Sequence, residues 1–101
     1  MPDKAWKQFE RRVASFFHGT RVPLSGMAQN YGTKADVEHP AYFIECKHYA
    51  KHAAIRHWDK AGVQARREDK IPVIALGEKN RPGFWILIHS DDLDDFRKGG
   101  A

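Results

Sequence analysis

Residues 35–49 read "ADVEHPAYFIECKHY". "ADVEH" and "AYFIECKH" have the composition of two strands joined by a turn at His39-Pro40. Side chains alternate along a strand. Tyr42, Ile44 and Cys46 therefore share one face, and Phe43, Glu45 and Lys47 share the other. Glu45 and Lys47 project together, roughly 7 Å apart along the strand. A hairpin brings Asp36, at the start of the first strand, to the same end of the sheet. Cys46 points the opposite way and is expected to be a small core residue.

Two carboxylates at a sheet edge make a hard oxygen site. Mg²⁺ takes one or two protein carboxylates and keeps waters or phosphate oxygens around the rest of its shell. A lysine beside them stabilises developing negative charge or orients the attacking water. The plain structural alternative is an exposed Glu45–Lys47 pair on an edge strand, and a bare D-x(n)-E-x-K pattern is weakly specific by itself.

The surrounding sequence places these strands in a mixed fold. Residues 4–18, "KAWKQFERRVASFFH", carry Trp6, Phe9, Val13 and Phe16/Phe17 at the spacing of an amphipathic helix, with Asp3 as N-cap and Gly19 as its stop. "TRVPL" predicts a short edge strand, because Pro23 cannot donate to a ladder, and "SGMAQNYGTK" a polar loop. Helical spacing returns over 53–69. "IPVIALG" and "FWILIH" predict strands joined by a turn at "NRPG", and "SDDLDDFRK" a short helix with Ser90 as N-cap. The order is α-β-β-β-α-β-β-α, an α/β or α+β domain with helices on a central mixed sheet. One domain is expected over 1–101.

Glu10 is the second anomaly. It lies four residues from Trp6 and three from Val13, inside or beside the apolar stripe of its helix. An ionised carboxylate there is costly unless it is paired or bound to a metal. Lys4, Lys7, Arg11 and Arg12 surround it on the same helix.

The chain holds 17 Lys and Arg against 13 Asp and Glu, for a formal net charge of +4. Four of the acids, Asp91, Asp92, Asp94 and Asp95, crowd the last helical stretch, so the excess elsewhere favours a polyanionic partner, nucleic acid first. No apolar run approaches the roughly 20 residues needed to span a bilayer. The N-terminal stretch lacks the apolar segment of a signal peptide. The single cysteine fits a reducing, cytoplasmic setting. His48 and His52 are four apart, but a strand-to-helix junction falls between them and no cysteine pair accompanies them, so the histidines read as surface residues and not as a zinc site. Trp58 falls on an apolar helix face and reads as core. Tyr31 and Lys34, in the Gly-containing loop, are the better candidates for touching DNA.

Taken in order, "FERRVASFF", "RVPLSG", "ADVE", "FIECK" and "IPVIALGEKNRPGFWILIHSDDL" resemble the PD-(D/E)XK nucleases, and most closely the archaeal-type Holliday junction resolvases and their phage relatives. The likeness runs from Trp6 to Phe96. It implies a restriction-endonuclease-like core and a metal-dependent endonuclease selective for four-way DNA junctions. It further implies a homodimer and a Mg²⁺ or Mn²⁺ ion. By that resemblance Glu10, Asp36, Glu45 and Lys47 form the catalytic set, with Glu10, Asp36 and Glu45 on the metal. Arg11 and Arg21 contact phosphates, Ser25 matches a loop serine, and Gln64 corresponds to a helical glutamine beside the site in some members. Ala35 stands where the family name has proline. The cell would be bacterial, archaeal or phage-infected. The alternatives are a nickase or repair endonuclease of the same fold, and a nucleic-acid-binding module without catalysis.

Overall fold

The computed structural model describes residues 4–23 and 32–99. They form α1 (Ala5–Phe17), β1 (Thr20–Arg21), β2 (Val37–Glu38), α2 (Ala53–Arg67), β3 (Ile74–Leu76), β4 (Trp85–Leu87), a 3₁₀ turn (Ser90–Asp92) and α3 (Leu93–Arg97). The class is α+β. The strands pair as two separate two-stranded antiparallel sheets, β1–β2 and β3–β4, where the sequence predicts one mixed sheet. The chain divides into two compact units, residues 1–49 and 50–101.

In the first unit α1 lies against β1 and β2. Its inward side presents Glu10, Val13, Ala14 and Phe17, at the i, i+3, i+4, i+7 spacing that makes one helix face. The core cluster is Ala14, Val37 and Ile44, with Val13, Phe17 and Cys46 packed on it; Val37 has no exposed surface at all. α1 ends with His18 in the left-handed conformation (φ 58°), and the Gly19 N–H donates back to Ala14 O at 2.8 Å. Gly19 is therefore not the left-handed residue of the stop. A Cβ there would stand 2.6 Å from Glu38 O and 2.8 Å from Val37 Cγ1, so glycine is required by the close approach of β2.

The predicted strand 41–48 is reduced to a single bridge, Val37 to Ile44. Both Asp36 N–H (3.0 Å) and Val37 N–H (3.3 Å) donate to Ile44 O. Two residues facing one is the pattern of a β-bulge, which ends regular pairing and re-aims the side chain beside it. Here the re-aimed group is the Asp36 carboxylate, whose Oδ2 accepts from Cys46 N–H at 2.7 Å. A side chain thus takes the donor that a longer ladder would have given to a backbone carbonyl.

In the second unit α2 lies against β3. β3 and β4 pair with Ile74 opposite Leu87, Ala75 opposite Ile86 and Leu76 opposite Trp85. The turn between them uses Asn80 (φ 65°) and Gly83 (φ 76°) in the left-handed region, as "NRPG" suggests. Trp58 is partly buried, its ring tilted against His89 with centroids 5.5 Å apart. The last helical segment is capped one residue earlier than predicted. His89 Nδ1, not Ser90, accepts from Asp91 N–H at 3.0 Å, and Ser90 is the first residue of the 3₁₀ turn. Among the described residues no helix is long and apolar enough to cross a membrane.

Candidate active site

β2 lies between two neighbours, β1 on one edge and Ile44 on the other. Arg21, Val37 and Ile44 stand in one row across the three segments. Directly opposed residues of an antiparallel pair share a face. Arg21 thus faces α1 along with the core residues Val37 and Ile44, and there it meets Glu10. Arg21 Nε donates to Glu10 Oε1 at 2.8 Å. Glu10 is 7% exposed and is the buried charged residue of the described core. The Arg21 guanidinium also lies over the Trp6 ring, 5.7 Å from its centroid, and Lys7 Nζ is 5.6 Å from the same ring. The carboxylate in the apolar stripe is accordingly paired, by a cation eleven residues along the chain.

Glu45 and Lys47 alternate outward, while Ile44 is buried and Cys46 half-buried, as strand parity requires. Lys47 Nζ is 3.7 Å from Glu45 Oε2 in an exposed ion pair. Tyr42 departs from the parity. It is exposed, and its ring stacks on His39 (4.6 Å) and meets Phe17 edge-on (6.1 Å).

Cys46 joins these groups. Its backbone N–H holds Asp36, and its thiol is pushed up from 9.0 to about 11, first by burial and then by the negative charge of Asp36, Glu10 and Glu45 in that order. All three carboxylates therefore act on one half-buried atom. They do not form a finished cage: among the described residues no three His, Cys, Asp or Glu side chains converge as a metal-binding group. The donor chemistry suits a hard cation all the same. Asp36 and Glu45 are the carboxylates that could take a cation such as Mg²⁺, which needs only one or two from the protein. Glu10, the third expected ligand, is turned to Arg21.

Of the remaining predicted residues, Arg11 is exposed on α1 and Lys34 is exposed ahead of β2. Gln64 is exposed on α2 in the second unit. Ser25 and Tyr31 lie outside the described residues, as does the proposed cap Asp3. His48 stacks on Phe9 with centroids 4.9 Å apart, and His52 is the N-cap of α2. The sequence reading missed the Arg21–Glu10 pair and the Asp36–Cys46 bond. The first depends on the register of Arg21 opposite Val37, which no local sequence pattern carries. Compared with known families, curated proteins and solved structures, the chain has no match.

Proposed function

We propose that this chain is a metal-dependent endodeoxyribonuclease with a restriction-endonuclease-like core, cleaving phosphodiester bonds in branched DNA and above all in four-way junctions. The observation that carries the reading is the bulged junction of Asp36 and Ile44. There the Asp36 carboxylate, just ahead of β2, accepts from the backbone N–H of Cys46, the residue between Glu45 and Lys47, whose side chains form an exposed pair. Carboxylates next to a cation on an open surface suit metal-assisted hydrolysis of a phosphodiester, and the chain is basic.

Asp36 and Glu45 would hold Mg²⁺ or Mn²⁺. Bound there, the ion would supply charge stabilisation and a more acidic water. Lys47 offers its ammonium to the scissile phosphate. Arg11, Arg21 and Lys34 bind flanking phosphates as point charges or, for arginine, bidentately. A junction of near two-fold symmetry needs two cuts, and a chain of this size holds one site, so a homodimer in the cytoplasm of the host cell completes the proposal. Phe84 and Trp85, exposed on and beside β4, offer apolar surface for the second copy.

A second reading has an observation of its own. Glu10 and Glu45 are each already paired with a cation, as they would be in a nucleic-acid-binding module that performs no chemistry. A gel assay separates the two. Four-way junction, flap and linear duplex of equal length are incubated with Mg²⁺ and with EDTA. The nuclease reading predicts cleavage of the junction only with Mg²⁺; cleavage of the flap or duplex in preference would move the substrate to another DNA structure. Binding of all three without cleavage would favour the silent module.

A further inference from the structure

Arg21 Nε donates to Glu10 at 2.8 Å, and among the described residues that is the guanidinium's one hydrogen bond. Nη1 and Nη2 have no partner there. They are not buried either: among the described residues, Trp58 Nε1 is the one buried side-chain nitrogen or oxygen without a partner. The Arg21 side chain keeps 18% of its surface exposed, against 9% for Glu10. The guanidinium thus gives Nε to the buried carboxylate and its Nη groups to water. Those two groups form a fork that meets two oxygens of a phosphate at once. The guanidinium also lies over the Trp6 ring, 5.7 Å from its centroid, and Lys7 Nζ lies 5.6 Å from the same centroid. Lys7 has no carboxylate partner among the described residues. A second cation therefore borders the ring that backs the first.

We infer that Glu10 is a positioning residue: by holding Nε it presents the Nη fork of Arg21, beside Lys7 at the Trp6 ring, to a backbone phosphate of bound nucleic acid. The inference rests on the DNA-binding part of the proposed function and not on its chemistry. Held at Nε and backed by Trp6, the guanidinium has less rotamer freedom to lose when a phosphate arrives. A buried acid then strengthens the binding of a polyanion, the reverse of what its charge alone does.

The test is binding of a labelled four-way junction by the full chain in EDTA, read by anisotropy over a range of salt. Glu10→Ala should weaken binding about tenfold. It should also lower the slope of log K against log salt by about 0.9, one phosphate contact. Glu10→Gln, which keeps an oxygen for Nε, should bind within about twofold of wild type. Binding by Glu10→Ala as tight as wild type or tighter, the outcome of a charge effect alone, would overturn the inference. In an Arg21→Gln background Glu10→Ala should change affinity less than about twofold. An equal loss with and without Arg21 would make Glu10 merely structural and overturn it too. If Glu10→Ala does not fold, Glu10→Asp replaces it: the charge stays but the oxygens withdraw, and binding should weaken about fivefold where Glu10→Gln does not. No loss for Glu10→Asp counts against the inference. Lys7→Ala leaves the buried pair intact and should lower the slope by about 0.9. An unchanged slope removes Lys7 and the shared site. A wild-type chain that binds no junction removes the DNA reading and this inference with it. Junction bound but not cut leaves this inference standing and removes the nuclease.

Discussion

Arg21 Nε donates to Glu10 Oε1 at 2.8 Å across the interface of α1 and β1, with both side chains largely withdrawn from water. The pair stands where helix and sheet meet, so its two halves have unequal consequences. Removing Arg21 leaves an unpaired carboxylate in the core, and Arg21→Ala should cost about 3–5 kcal/mol without metal. Glu10→Gln keeps an oxygen to accept from Arg21 and should cost only about 1 kcal/mol. Urea unfolding in EDTA measures both. Equal losses would mean that the carboxylate's charge is not what Arg21 compensates.

Glu45→Gln and Lys47→Ala should be nearly neutral for stability, within about 0.5 kcal/mol, because an exposed ion pair contributes little. Each should lower junction cleavage at least about a hundredfold. Thermal melts and single-turnover cleavage report the two quantities. A variant that cleaves at the wild-type rate removes its residue from the site.

Gly19→Ala should lower stability by about 2 kcal/mol, since its Cβ would collide with the Glu38 carbonyl and with Val37, a fully buried side chain. A backbone oxygen in a paired strand cannot move aside cheaply. Calorimetry should show a fall of several degrees in Tm. An unchanged Tm would mean that β1 and β2 approach α1 less closely than described.

The Cys46 thiol, raised to about 11, should react slowly with a disulfide reagent such as DTNB at pH 8. Thiolate would be about a hundredfold scarcer than for a thiol titrating at 9.0, partly offset by its greater nucleophilicity, for a net slowing of about tenfold before steric protection. Asp36→Asn and Glu45→Gln should speed the reaction by removing negative charge. The sign for stability follows: the unfolded thiol ionises from about 9 while the folded one holds its proton to about 11, so this group's contribution is full below 9 and is lost as pH rises through 11. Rates unaffected by either substitution would separate Cys46 from those carboxylates.

Helix periodicity made α1 and α2 legible to within a residue or two, because a 3.6-residue apolar stripe depends on the local chain alone. Strand parity likewise anticipated that Glu45 and Lys47 face outward while Cys46 turns inward. The bulge was not legible. It depends on Asp36 taking Cys46 N–H, a side-chain bond that interrupts the alternation on which strand reading rests. "AYFIECKH" has the composition of a strand but keeps one bridge, since composition reports apolar surface and not the partner of each N–H. Glu10 was recognisable as anomalous in its helix, but its partner lies on another element. His89 displaced Ser90 as a cap because an imidazole nitrogen accepts a backbone N–H as a hydroxyl does, a use that capping preferences understate.

Binding in EDTA should be electrostatic, with log K falling against log salt by about 0.9 for each phosphate contact. Arg11→Ala and Lys34→Ala should each reduce that slope by about one contact, measured by anisotropy on a labelled junction. A flat salt dependence would remove DNA as the partner.

The most direct measurement is single-turnover incubation of a labelled four-way junction with wild-type protein and with Glu45→Gln, in Mg²⁺ and in EDTA. The account predicts strand cleavage by the wild type in Mg²⁺ only, and uncut but bound junction in the other three reactions. Junction bound by the wild type yet left intact in both Mg²⁺ and Mn²⁺, or cut equally well by Glu45→Gln, would contradict it.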